Sequence, residues 1–307
     1  MTIVIAGSTG LVGSAISRLL IGRGESVIGI NRKVVDLLDR KETFEFINAA
    51  KPDLVIDAAA IVGGIGANNN FPVDFLSNNI QIQSNLMDAA HAANVERFVF
   101  LGSSCIYPRD CAQPIKEEYL MTGPLEQTNS AYAVAKIAGI ELIRSYRKQF
   151  NRKWISLMPT NMYGPNDNFD LASSHVLPAL INRFVTAKIN NTKSVTLWGT
   201  GLAKREFMHV DDLASAVMIA VEKYDEGLHL NIGTGEDLSI YDLAALISRL
   251  SNFNGEVLWD SSKPDGTPRK VLDVTKMKNL GWAPAISLEA GISSTIEWFK
   301  VNSMAKR

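Results

Sequence analysis

Ile3-Val4-Ile5-Ala6-Gly7-Ser8-Thr9-Gly10-Leu11-Val12-Gly13 is the stretch that decides how this chain is read. Four apolar residues of strand character run directly into three glycines spaced Gly-x-x-Gly-x-x-Gly, and a helical pattern follows. A strand that turns sharply into a helix needs residues without a Cβ. The backbone can then bend, approach a pyrophosphate and point helix N-terminal amides at it. A glycine triplet alone equally suits a structural turn. Its place between strand and helix favours dinucleotide binding, with Gly7, Ser8, Thr9, Gly10, Leu11, Val12 and Gly13 as the binding segment.

Outward from that segment, strand-like runs recur at Val27 to Ile30, Leu54 to Ala58, Phe98 to Leu101 and Ile155 to Met158, separated by helical patterns. Repeated β-α-β predicts an α/β fold: a Rossmann-type doubly wound parallel sheet. From about Gly164 the texture changes to Pro165, a polar Asn166-Asp167-Asn168 stretch and turns at Gly199, Gly201, Gly233, Gly235 and Gly266. We expect residues 1–164 to bind the cofactor and 165–307 to form a smaller α+β substrate-binding domain. Helix-like Asp211 to Glu222 and strand-like Leu228 to Ile232 suggest a return of roughly 206–232 to the first domain.

With 307 residues, 46% of them hydrophobic, the chain is long enough to bury a sizeable core. Its 31 Lys+Arg against 32 Asp+Glu leave a net charge of −1, which gives no global field for nucleic acid or an anionic membrane. Anionic ligands must be held by local groups. Cys105 and Cys111 are too few for a disulfide framework and point to a reducing cytoplasmic setting. No apolar run reaches the roughly 18 residues of a membrane span, and the opening residues lack a signal peptide's basic segment. The chain is expected to be soluble, with no metal site.

After the second strand, Asn31-Arg32-Lys33 stands where an NAD site places a ribose-binding acid, and the first acid is Asp36. Arg32 can pair with an adenosine 2′-phosphate through its planar fork, so NADP (NADPH) is expected rather than NAD. A solvated basic loop is the other reading. Tyr132-Ala133-Val134-Ala135-Lys136 lies in a helical pattern running to about Phe150, and i, i+4 spacing puts phenol and ammonium on one face. A neighbouring Lys⁺ stabilises phenolate and is expected to lower the tyrosine pKa from about 10. Behind the glycine loop and the Ser103-Ser104 hydroxyls, the arrangement resembles the Ser-Tyr-Lys set of short-chain dehydrogenases, here Ser103, Tyr132 and Lys136.

Further segments sharpen the likeness. Ala59-Ala60-Ile61-Val62-Gly63-Gly64-Ile65-Gly66-Ala67-Asn68, Gly102-Ser103-Ser104-Cys105-Ile106-Tyr107-Pro108 and Pro159-Thr160-Asn161-Met162-Tyr163-Gly164-Pro165 occur in order. Ser174-His175-Val176, Trp198-Gly199-Thr200-Gly201, Arg205-Glu206-Phe207 and Lys263-Pro264-Asp265-Gly266-Thr267-Pro268-Arg269-Lys270 follow. Together they resemble the GDP-L-fucose synthase family across nearly the whole chain.

That resemblance implies epimerisation of GDP-4-keto-6-deoxy-D-mannose at C3 and C5, then NADPH reduction at C4. It assigns Cys105 and His175 as base and acid, and Ser103, Tyr132 and Lys136 to the enolate and the reduction. Leu101, Gly102, Ser103, Lys136, Pro159, Asn161, Met162 and His175 join the glycine loop and Arg32 in facing the cofactor. Arg183, Trp198, Arg205 and Asp265 are the implied substrate contacts. It also implies a homodimer through Pro72 to Ala93 and Ala131 to Phe150. Ser8-Thr9 departs from relatives with a basic residue in the glycine loop. Alternatives are a GDP-L-colitose synthase, which inverts only C5, a UDP-sugar 4-epimerase, and a non-catalytic NADP-binding sensor.

Overall fold

The structure is a computed structural model that describes residues 1–263 and 265–304. Its strands are β1 Thr2–Ala6, β2 Ser26–Ile30, β3 Leu54–Asp57, β4 Arg97–Leu101, β5 Ile155–Pro159, β6 Asn161–Tyr163, β7 Ser194–Trp198, β8 Lys204–Arg205, β9 Phe207–His209, β10 Leu230–Ile232, β11 Leu238–Ser239, β12 Glu256–Asp260 and β13 Arg269–Lys270. The α-helices are α1 Leu11–Gly22, α2 Arg40–Ala50, α3 Ile65–Asn70, α4 Asn79–Ala92, α5 Ser130–Phe150, α6 Val176–Ile189, α7 Val210–Lys223, α8 Ile240–Leu250, α9 Thr275–Asn279 and α10 Leu288–Met304.

Six strands form one parallel sheet in the order β10-β5-β4-β3-β1-β2. Because side chains alternate along a strand, Ile3, Ile5, Leu54 and Ile56 pack on one face with Ile16 and Leu20 of α1 and Leu213 and Val217 of α7. Val4, Val55, Phe98 and Phe100 pack on the other with Ile47 of α2, Leu86 of α4 and Ile140 of α5. Strands buried on both faces read as unbroken apolar runs, which is why the sequence shows them so plainly. Truncating Ile5 to Ala would cost about 2–5 kcal/mol, because the site is fully buried.

The helix that carries the Tyr-x-x-x-Lys pattern lies unusually close to the sheet. A Cβ on Gly139 of α5 would meet the Phe100 ring at 2.3 Å. Only glycine lets α5 rest there, and this seating puts Lys136 Nζ 2.9 Å from Leu101 O at the end of β4.

Downstream of β5, the chain alternates between this sheet and a third cluster formed by Leu177 and Phe184 of α6, Leu243 of α8 and Ile292 of α10. The parallel pair β7 and β12 and the three-stranded set β11-β8-β13 flank that cluster. The chain's returning segments join the sheet: β10 pairs with β5, and α7 is tied to α1 by an Arg18–Asp211 ion pair of 2.7 Å. The last strand of the sheet starts at Leu230 and not at Leu228, because the Leu228 carbonyl accepts from the Tyr224 hydroxyl at 2.7 Å and stays in the preceding turn.

Candidate active site

Gly7 adopts φ +75°, and an added Cβ would sit 2.6 Å from Ala58 O; on Gly13 it would meet Gly7 O at 2.2 Å. The turn is therefore a backbone cradle that any side chain would fill. Gly10 caps α1 with no side-chain bond, so the first-turn amides keep their donors free for a ligand. Ser8 uses its hydroxyl on Ile30 O at 3.1 Å, which pins the loop to the end of β2. Arg32 follows β2 on the exposed turn and has no hydrogen bond or ion pair among the described residues.

Past β3, Asn79 fastens the next loop. Its Oδ1 accepts from Ile61 N at 2.8 Å, and its Nδ2 donates to Ile61 O and Phe75 O at 3.0 and 2.7 Å. Phe75, in the π-helical turn Asp74–Asn78, stands edge-on to Tyr132 with centroids 6.4 Å apart. The loop then meets the second half of the chain, where Gly64 N donates to Ser173 O at 2.9 Å. His175, two residues on, is the N-cap of α6 and spends no ring nitrogen on capping. Its side chain keeps contact with solvent while protein crowds around it, and this desolvation lowers its pKa from the ordinary imidazole value.

Beyond β4, Ser103 Oγ accepts from Cys105 N at 3.2 Å, which caps the short 3₁₀ turn Ser104–Ile106 and leaves the hydroxyl proton free to donate. Cys105 Sγ accepts from Asn129 Nδ2 at 3.5 Å and lies 3.8 Å from Lys270 Nζ. These three residues line one small pocket with Glu126 and Arg269. Lys136 Nζ is 5.9 Å from the Tyr132 ring centroid and is buried, which lowers its pKa against the pull of Asp57. Tyr132 departs from the expectation of a depressed pKa. Burial pushes its phenol up, and negative charge on Cys105 and Asp57 adds to the rise.

The remaining predicted contacts divide. Arg205 on β8 faces Cys105, Asp265 and Glu126, and its burial lowers its pKa. Trp198 is 65% exposed with Lys263 Nζ 5.7 Å over its ring, so the indole is open to a ligand. Among the described residues, Arg183 on α6 reaches only Thr196 O, at 3.4 Å. Asp265 is already engaged: its oxygens accept from Thr200 N and Thr200 Oγ, both at 2.7 Å, so it holds the Gly199–Gly201 turn in shape. Asn161 similarly donates its amide to Glu206 O at 2.8 Å, while Met162 packs on the sheet beside Leu11 and Val12. Glu206 is fully buried, with Oε1 accepting from Gly235 N at 2.8 Å and Oε2 from Leu272 N at 2.9 Å.

A model of the NAD dependent epimerase/dehydratase family matches residues 3–233. The chain is 48% identical to GDP-L-fucose synthase of Escherichia coli (strain K12) over 310 residues, covering 98% of this chain and 97% of that one. It is also 48% identical to putative GDP-L-fucose synthase 2 of Arabidopsis thaliana, over 99% and 93% of the two chains. The chain belongs to the GDP-L-fucose synthase branch of this family. Its fold superposes with a TM-score of 0.92 on a GDP-L-fucose synthetase from Naegleria fowleri bound to NADP, at 29% identity over 99% and 95% of the chains.

As in other GDP-L-fucose synthases of the family, the cofactor is NADP(H). The residues present fit it: an uncapped helix start behind a cradle that admits no Cβ, and an unpaired guanidinium past β2 where an acid would oppose a 2′-phosphate. No group of three His, Cys, Asp or Glu able to hold a metal exists among the described residues. No described helix is long and apolar enough to cross a membrane. Asn129, Lys270 and Asp57 join the site from outside the residues expected from the sequence. Asn129 lies three residues before Tyr132 and Lys270 ends a quoted motif, so both carried a signal; Asp57 was hidden at the end of an apolar run.

Proposed function

We propose that this chain epimerises GDP-4-keto-6-deoxy-D-mannose at C3 and C5 and then reduces it at C4 to GDP-L-fucose. The observation that carries the site assignment is the grouping of Ser103, Cys105, Tyr132 and Lys136 around the end of β4; in this reading His175 acts from the loop that Gly64 N binds at Ser173 O.

The C4 ketone acidifies the hydrogens on C3 and C5. Cys105 removes a proton from one face of each carbon, with Lys270 and Asn129 beside its sulfur to stabilise the negative charge. His175 returns a proton on the other face; the diphosphate of an arriving substrate opposes the desolvation that disfavours its imidazolium. The Ser103 hydroxyl and Tyr132 donate to the enolate oxygen. NADPH supplies hydride to C4 when bound, and Tyr132 protonates the C4 oxygen. The Lys136 ammonium offsets the negative charge left on Tyr132 as it gives up its proton.

In this reading Gly7 to Gly13 hold the pyrophosphate, Arg32 the 2′-phosphate, and Leu101, Gly102, Pro159, Asn161, Met162 and His175 border the nicotinamide end. Arg183 and Arg205 take the diphosphate and Trp198 offers an apolar face, with Asp265 shaping the turn beside it. Residues 1–164 with 206–232 form the cofactor domain and the rest the substrate domain. Both cysteines are free, in keeping with a reducing cytoplasm. Exposed Val134 and Phe150 on α5 support a homodimer through that helix and residues 72–93.

Mutation of Cys105 to Ser tests the division of labour. Hydrogen exchange at C3 and C5 in deuterated water should slow strongly while reduction continues, giving a GDP-6-deoxy-D-hexose. Unchanged exchange at both carbons would remove Cys105 and His175 from these roles.

A further inference from the structure

Asp57 ends β3 beside Phe100 of β4, and its side chain projects from the same sheet face as Val55, the face that α5 covers. It is fully buried. Oδ1 accepts from Ala59 N at 3.1 Å, and Oδ2 has no hydrogen-bond partner. Burying a carboxylate this incompletely solvated is unfavourable, and desolvation raises its pKa to about 6. At neutral pH the group is nonetheless mostly ionised.

The opposite charge is Lys136, also buried, which donates to Leu101 O and lies 4.7 Å over the Phe100 ring. The ammonium of Lys136 holds the Asp57 pKa down against its burial, and the Asp57 carboxylate holds the Lys136 pKa up against its own. Tyr132 from α5 faces Asp57, and Cys105 from the turn after β4 faces Tyr132 in turn. The glycine loop that packs against Ala58 contributes no charge.

We propose that Asp57 is a positioning residue of the reductive centre, its buried carboxylate serving as the counter-charge that keeps Lys136 an ammonium beside Tyr132. The inference rests on the proposed roles of Tyr132 and Lys136. An ammonium in an apolar pocket loses its proton easily, and a neutral amine gives Tyr132 no support when it surrenders its proton. A carboxylate one strand away restores the charged form without touching the substrate. A buried acid with one oxygen left without a hydrogen bond is more at home in a site than in a core.

The test compares wild type, Asp57→Asn and Asp57→Glu as NADPH-loaded enzymes, reading the pH profile of kcat/KM for reduction. In Asp57→Asn the alkaline limb should move down by about one pH unit or more, so that activity at a fixed alkaline pH falls about tenfold, and Asp57→Glu should restore part of it. Circular dichroism and NADPH affinity report whether each variant is folded and loaded. An independent readout is the ¹³C titration of the Asp57 carboxyl in holoenzyme, which should move upward in Lys136→Met. Unchanged pH limbs in Asp57→Asn, or an unmoved carboxyl titration in Lys136→Met, would overturn the proposal. If Tyr132→Phe keeps normal reduction, the underlying reading fails instead.

Discussion

Lys270 Nζ lies 3.8 Å from Cys105 Sγ, although 165 residues separate them in sequence. The two belong to β13 and to the turn after β4, and the chain that continues from this turn is tied to the end of β13 where Ile115 N donates to Val271 O at 2.8 Å. An ammonium so placed stabilises negative charge that develops on sulfur during carbon deprotonation. Lys270→Met should therefore slow deuterium exchange at C3 and C5 by about tenfold or more, through loss of a charge-assisted contact of roughly 1.5–3 kcal/mol. Equal exchange rates in variant and wild type would separate Lys270 from the base.

Arg32, exposed and unpaired among the described residues past β2, predicts the cofactor preference. NADPH should bind about ten- to a hundredfold more tightly than NADH, and Arg32→Ala should erase most of the difference. Fluorescence titration of both cofactors decides this; equal dissociation constants in wild type would contradict it.

Tyr132→Phe deletes one hydroxyl from a packed ring that faces Phe75. Single-turnover NADPH oxidation should fall by about 10²-fold or more, with NADPH affinity and melting temperature nearly unchanged. Near-normal oxidation would take Tyr132 out of the mechanism.

Asp57 predicts a pH-dependent stability. Its carboxyl titrates near 3.8 when unfolded and at about 6 when folded. The folded protein thus holds a proton across that window that the unfolded chain has lost, so stability falls as pH rises from about 4 to 6. Above pH 6 the full penalty applies, on the order of 3 kcal/mol. Asp57→Asn should unfold at higher urea than wild type at pH 8, with the gap closing towards pH 4. A variant less stable than wild type at pH 8 would contradict this.

The parallel sheet was legible because Ile3, Ile5, Val55 and Phe100 must be apolar on both faces of a covered strand, and the glycine loop because Gly7 and Gly13 admit no side chain. What pairing in space decides was not legible. Nothing local tells that Asp265 is committed to Thr200 or Asn161 to Glu206, since each partner is set by tertiary contact. Tyr132 was read with its lysine alone, while its burial and the charges of Asp57 and Cys105, from two other strand ends, set the direction of its shift.

The most direct test of the account incubates wild type with GDP-4-keto-6-deoxy-D-mannose and NADPH in deuterated water and determines the product by proton NMR. The expected product is GDP-L-fucose, with deuterium at C3 and C5, hydrogen delivered to C4, and one NADPH oxidised per product. A GDP-6-deoxy-D-hexose retaining its original hydrogens at C3 and C5 would show reduction without epimerisation and contradict it.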